Sequence, residues 1–237
     1  MNLFSSAGGE FLLRWLHFLA GITWIGLLYY FNFVQGPYFA EADAAAKSNA
    51  TQKLVPRALW WFRWSALVTF LSGALIILKR VGEAPDGVNV WTSPWGVAIL
   101  TGAALGTVML GNVWRVIWPN QQIVIASAVA AASGGQANPA AAAAGRRAFL
   151  ASRTNVVFSI PMLFFMGAAS HLTPGMGGNL TMYWVGVLGV IALVEANALI
   201  GDKGPTKQPI EKIPGVITIG VVVWAILYGL VQVCLGG

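Results

Sequence analysis

Long apolar runs separated by short polar segments dominate the chain. A helix needs about 20 mostly apolar residues to cross a bilayer. Six runs approach or meet that length: 11–35, 58–78, 95–118, 155–170, 180–200 and 213–235, the fourth extended at its N-terminal end. The pattern predicts an all-α polytopic membrane protein, a single domain over residues 1–237 built as a six-transmembrane-helix bundle. The longest connection is an alanine-rich loop, 120–153, with Gly134-Gly135 and Asn138-Pro139 near its middle. Asn138 as N-cap and Pro139 at the first helical position predict a helix that starts there and runs into the fourth span. Pro161 predicts a kink inside that span. Thr173, Pro174 and the glycines that follow predict a short turn to the fifth span.

Composition supports the same class. Of 237 residues, 57% are hydrophobic and 9% charged, against roughly 25% charged in soluble domains. The net charge of +6 is distributed by topology. The connections after the first, third and fifth spans hold Lys47, Lys53, Arg57, Arg115, Arg146, Arg147, Arg153, Lys203, Lys207 and Lys212, while the other side holds Arg14, Lys79 and Arg80. The positive-inside rule then places both termini outside, in the periplasm for a bacterial inner membrane. No basic run interleaved with aromatics lies outside the spans, so no nucleic-acid partner is expected; the surrounding partner is membrane lipid. The single cysteine, Cys234, excludes an internal disulfide, a multi-cysteine zinc site and a C-x-x-C-H site, hence no covalent haem. The polar N-terminus lacks the basic region of a signal peptide.

The candidate chemistry lies in polar residues within apolar runs. His17 and His171 are the two histidines. On a helix, His17, Gly21, Trp24 and Leu28 share one stripe. With the first span entering from outside and the fourth leaving toward it, both histidines approach the outer face. Two neutral imidazoles at matched depth can clamp an iron porphyrin, so haem b is the expected cofactor, with His17 and His171 as iron ligands. Arg14 is placed to meet a propionate, and Trp15 and Trp24 to wall the ring. The competing reading gives His17 a neighbouring helix carbonyl or hydroxyl, and His171 the wet headgroup region.

A second polar group, near the inner face, comprises Asn32, Gln35, Arg63, Arg115, Glu195 and Asn197. An unpaired charge there costs on the order of 3 kcal/mol. Glu195 is therefore expected to pair with Arg63 or Arg115, as a structural ion pair or as part of a site for an anionic substrate. Trp60, Trp61, Phe62 and Trp64 surround Arg63 in sequence. They form either an interfacial belt with a snorkelling arginine or an aromatic wall for a ring ligand.

The segments WLHFLAGITWIGLLYYFNF, RALWWFRW, GNVWRVIWPNQ, GRRAFLASRTN and MLFFMGAASH together resemble the N-terminal membrane domain of the bacterial cytochrome c-linked urate oxidase (urate hydroxylase) family. The resemblance runs in blocks from Arg14 to His171, with Trp118-Pro119-Asn120 standing at the family's turn after the third span. The opening W-L-H and W-x-G also resemble the first helix of copper-resistance D proteins and of membrane-bound protoporphyrinogen oxidase, where the histidine is associated with haem b. The resemblance implies an oxidoreductase that hydroxylates urate with oxygen from water and passes electrons to cytochrome c on the periplasmic side. No C-x-x-C-H occurs in this sequence, so the acceptor is expected to be a separate cytochrome c. The alternative function is a non-catalytic accessory subunit of a larger respiratory or photosynthetic membrane complex.

Overall fold

The structure is a computed structural model that describes residues 2–236. It is all-α among the described residues, with six helices long and apolar enough to cross a membrane. The protein is a multi-pass membrane protein. Helix α1 (Ser6–Tyr29) begins where Ser5 Oγ accepts the Gly8 amide at 3.1 Å. A π-helical turn, Tyr30–Gln35, carries it into α2 (Gly36–Glu41). The first span is thus continuous over Ser6–Glu41. Helix α3 (Ala44–Lys53), capped by Asp43, leads to the second span, α4 (Val55–Gly82).

The third span departs from expectation. Helix α5 (Pro94–Gly111), a π turn (Asn112–Ile117) and α6 (Trp118–Ala132) form one rod, Pro94–Ala132. Trp118-Pro119-Asn120 makes no chain reversal. Pro119 falls in the first turn of α6, where its missing N–H costs little. The side chain of Asn120 donates back to the Val116 carbonyl at 2.7 Å. The alanine-rich segment is therefore helical over much of its length rather than a loop. Helix α7 (Ala141–His171) begins beyond Asn138-Pro139. Asn138 closes a preceding turn instead, its Oδ1 accepting the Ala140 amide at 2.9 Å and its carbonyl the Ala141 amide at 3.0 Å. Helix α8 (Leu180–Leu199), the short α9 (Gln208–Glu211) and α10 (Ile213–Val231) with a terminal π turn (Gln232–Gly236) complete the chain.

Helix α7 is the central element, packed by α5, α6, α8 and α10, while α1 and α4 form an antiparallel hairpin. Its buried face is nearly continuous, from Ala144 and Ala148 through Phe158, Met162 and Phe165 to Ala169. Bonds from Asn32 to Ser152 and between Tyr29 and Ser159 set α1 antiparallel to α7. The start of α1, the end of α7 and the end of α10 consequently lie at one end of the bundle, called here the His17 end. Asn32, Arg63, Asn112 and Glu195 lie toward the other.

Two contacts close the His17 end. The α7–α8 connection lies against the terminal π turn, with Gly177 N donating to Leu235 O at 3.0 Å and Asn179 N to Cys234 O at 2.6 Å. A Cβ on Gly178 would stand 2.0 Å from the Cys234 carbonyl oxygen, whereas Gly177 faces open space. Across the α1–α4 hairpin, Glu10 holds Arg14 at 2.6 Å and Lys79 at 3.8 Å. Glu83 accepts from Lys79 and from Ser6 Oγ.

Gly178→Ala is expected to lower stability by about 2 kcal/mol or more, because backbone rather than a flexible side chain must move. Gly177→Ala serves as the neutral control in thermal unfolding of detergent-solubilised protein. Equal midpoints for the two variants would show that the clamp is absent. Glu83 generates a second expectation. The hydrogen bond from Lys79, then that from Ser6, hold its carboxyl below the ordinary value of 4.5. A depressed pKa contributes stability that is present above the unfolded value and lost as pH falls through the folded one. A spin label at Phe4, next to this latch, should gain mobility as pH drops below about 4.5, and Glu83→Gln should make its mobility pH-independent.

Candidate functional site

The two polar groups anticipated in the membrane lie toward opposite ends of the bundle. At the His17 end, the imidazole faces α4. Its Nδ1 lies 3.2 Å from Ser72 Oγ. The Ser72 hydroxyl donates to the backbone carbonyls of Val68, at 2.7 Å, and Thr69, at 3.0 Å. Its proton is thereby committed, so His17 Nδ1 must be the donor and Nε2 keeps its lone pair. Nε2 has no hydrogen-bond partner among the described residues. Gly73 makes room for the ring: a Cβ there would stand 3.0 Å from His17 Cε1.

Beside this ring the helices part. Phe18, Ile25 and Asn32 recur every seven residues and share a stripe of α1. Ile25 is 9% exposed and Asn32 is buried, but Phe18 is 65% exposed. The matching stripe on α7 behaves alike: Ser159 is fully buried, whereas Leu163 is 48% exposed and Gly167 and Ser170 are exposed. The hairpin therefore closes on α7 toward the Asn32 end and opens laterally toward the His17 end. His171 is exposed at the end of α7. Two half-open cavities, about 240 and 200 Å³, are lined by neither histidine.

Other residues expected at this end are differently engaged. Arg14 donates Nε and Nη2 to Glu10, at 2.9 and 2.6 Å. Trp24 is enclosed in the core, its indole N–H without a partner, so it does not wall the opening. Trp15 is exposed.

Toward the other end, the expected ion pair is replaced. The ion pairs among the described residues are Arg14–Glu10, Lys79–Glu10, Lys79–Glu83 and Arg146–Glu211. Glu195 pairs with neither Arg63 nor Arg115. It accepts instead from Asn112 Nδ2 at 3.0 Å, and the same amide donates to Asn155 Oδ1 at 2.9 Å. Asn155 Nδ2 donates to the Met109 carbonyl at 3.0 Å. A carboxylate thus joins a chain of amides that ties α8, the second π turn, α7 and α5. The physical reason is direction. Arg63 points at Trp118, its Cζ 3.9 Å from the ring centroid, with Trp64 and Trp114 at 5.5 and 5.6 Å; Arg115 is exposed on the π turn.

The first π turn acts in parallel. Asn32 Nδ2 donates to Leu28 O and to Ser152 Oγ, both at 2.8 Å. One turn back, Tyr29 OH lies 2.9 Å from Ser159 Oγ, whose proton goes to the Val156 carbonyl, so the tyrosine donates. The two π turns therefore flank α7 at one level. Such turns often mark functional positions because the extra residue re-aims a side chain. Composition alone could not reveal them; the visible signal was Asn112, Ser152, Asn155 and Ser159 within long helical runs. Arg153 was assigned to a basic loop and is instead 5% exposed inside α7. Its Nε and Nη1 are enclosed without acceptors, with the Phe149 ring 5.0 Å away.

Among the described residues no three His, Cys, Asp or Glu side chains converge as a metal cage. Residues 87–226 match the family described as urate oxidase N-terminal. The match spans more than half of the chain, from just before α5 into α10, and takes in Asn112, Arg153, Asn155, His171 and Glu195. No curated protein and no solved structure matches.

The unpartnered Arg153 yields a stability test. Replacing even a paired buried charge by apolar side chains of similar volume is often neutral or stabilising by about 1–4 kcal/mol, and Arg153 has no ion pair to lose among the described residues. Arg153→Met should raise the unfolding midpoint in detergent. An unchanged or lower midpoint would mean that the guanidinium has a partner in the native protein.

Proposed function

The chain belongs to the urate oxidase N-terminal family, and from that premise we propose that it is an integral membrane redox protein that holds haem b near one face and exchanges electrons with a separate cytochrome c. The observation that carries this reading is the tautomer of His17. The Ser72 hydroxyl accepts from Nδ1–H, and Nε2 keeps its lone pair. Metal-bound histidines are ordinarily oriented in this way by a hydrogen bond from the other ring nitrogen. His171, exposed and near the same end, supplies the second imidazole. The exposed faces of Phe18 and Leu163 give the opening apolar walls, and Gly167 adds no side chain to it. The haem when bound supplies one-electron redox chemistry. The protein's own part is to fix the imidazole, shape the apolar cleft and keep the hairpin latched through Glu10 and Glu83.

The orientation that fits this reading is the one with both termini in the periplasm of a bacterial inner membrane. It follows from the excess of Lys and Arg toward the Asn32 end. It would set the His17 end toward a periplasmic acceptor. The electron donor would be urate or a similar planar acid, as the family's description suggests.

Spectra of purified protein supplemented with haem during expression test the proposal. A dithionite-reduced α band is expected, and His17→Ala and His171→Ala should each abolish or shift it. Ser72→Ala should keep the band but move its midpoint potential, since the tautomer is no longer fixed. A colourless wild-type protein under haem-replete conditions would end this reading.

A further inference from the structure

Arg63 is held only by ring faces. Its guanidinium lies over Trp118 and beside Trp64 and Trp114. Indole faces stabilise the positive charge but offer no oxygen to the N–H groups. A guanidinium carries five N–H donors and cannot shed its charge in a protein. Among the described residues none of the Arg63 donors has an acceptor, and Nε is enclosed. The Trp114 indole N–H in the same cluster is also enclosed and without an acceptor. Glu195, the nearest carboxylate by span level, is bonded to Asn112. The cluster therefore has an excess of donors and a net positive charge, with nothing among the described residues to receive either.

Its depth identifies what can. Helix α4 has 28 residues, about 42 Å at 1.5 Å per residue, against roughly 30 Å of hydrocarbon. Arg63 is eight residues past Val55, about 12 Å along the axis. With α4 centred, it sits roughly 6 Å inside the hydrocarbon boundary, within reach of a snorkelling side chain. Trp60 and Trp61 beside it are exposed, as aromatic residues at that boundary are. Arg115 is exposed on the neighbouring π turn. Lys47, Lys53, Arg57 and Arg147 add to the positive charge toward this end, which draws anionic lipid to the surface.

We propose that Arg63, stacked on Trp118, is a binding site for the phosphate of an acidic phospholipid headgroup. The phosphate oxygens accept from the guanidinium edge, and the acyl chains run toward the bilayer centre along the exposed Leu71 and Leu75 of α4. Inorganic phosphate shares the recognised chemistry but lacks the chains, so the two sources separate experimentally.

The test uses full-length protein in nanodiscs of phosphatidylcholine, with or without phosphatidylglycerol, and lipid retention after release read by native mass spectrometry. Tryptophan fluorescence, taken as the difference between wild type and Arg63→Gln because the chain has 11 tryptophans, reports the cluster. Wild type should retain phosphatidylglycerol over phosphatidylcholine by about fivefold, because both lipids offer phosphate oxygens but only phosphatidylglycerol brings a net negative charge to the basic cluster. Arg63→Gln should abolish the preference, and Arg63→Lys, which keeps the charge but loses the planar stack, should retain part of it. Added inorganic phosphate should leave the fluorescence in phosphatidylcholine discs unchanged. Equal phosphatidylglycerol retention by wild type and Arg63→Gln would overturn the proposal. So would a phosphate response in neutral discs as large as the phosphatidylglycerol response. Should Arg63→Gln fail to fold, the wild-type lipid preference, the phosphate arm and Arg63→Lys decide the matter.

Discussion

Asn155 has no water to turn to. It is fully enclosed, and a buried amide must find its partners in protein or cost several kcal/mol. Its oxygen takes Asn112, its nitrogen the Met109 carbonyl, and Asn112 in turn holds Glu195. The arrangement of the bundle around α7 depends on meeting that demand. Individual interhelical hydrogen bonds in membranes average only about 0.6 kcal/mol, so their contribution lies less in stability than in register. An α5 shifted by one residue would leave amides and a carboxylate facing hydrocarbon. The π turns follow from the same constraint. A regular helix would carry Asn32 and Asn112 past α7; one extra residue in the turn brings each to Ser152 and Asn155.

Fixing α1 to α7 at the Asn32 end has a consequence for the other end. Below Ile25 the seam is polar and shared; above it nothing polar joins the two helices. Helix α1 is held there by α4, through Ser72 and Gly73 at His17 and by the latch of Glu10, Lys79, Glu83 and Ser6. The opening between α1 and α7 thus arises from the distribution of hydrogen-bonding partners along one stripe. His17 lies on the adjoining stripe, with its ring oriented by Ser72 of α4.

Much of the architecture was legible in the sequence because hydrophobicity over twenty residues is a summed signal. All six spans and the division of polar residues between two ends follow from it. Partner choice was not legible. Glu195 was expected to find an arginine, since a carboxylate in a span wants a cation, yet Asn112 reaches it and both arginines point elsewhere. Direction around a helix shifts by about 100° per residue, and a π turn adds an offset that composition does not announce. The alanine-rich segment misled for a related reason. Proline and asparagine mark turns and helix starts alike; Pro119 proved to be in a first turn and Asn138 in a tight turn. Arg153 looked like one more loop cation because the boundary of the fourth span was drawn too late, at Asn155.

The two arginines near the Asn32 end solve one electrostatic problem in opposite ways. Arg63 stays close to the boundary, where indole faces lower the cost of the charge and its outer edge can meet an oxyanion. Arg153 lies within α7 and is closed off from nearly all solvent, with one phenyl ring for company. An arginine needed only for topology would be cheaper at the surface, a few residues earlier in α7, as Arg146 shows by pairing with Glu211 and the Asp202 carbonyl. The cost of enclosing Arg153 falls on the element around which every other span is packed. Stability alone therefore gives no account of its position, one residue after Ser152, which receives Asn32 in the polar seam between α1 and α7.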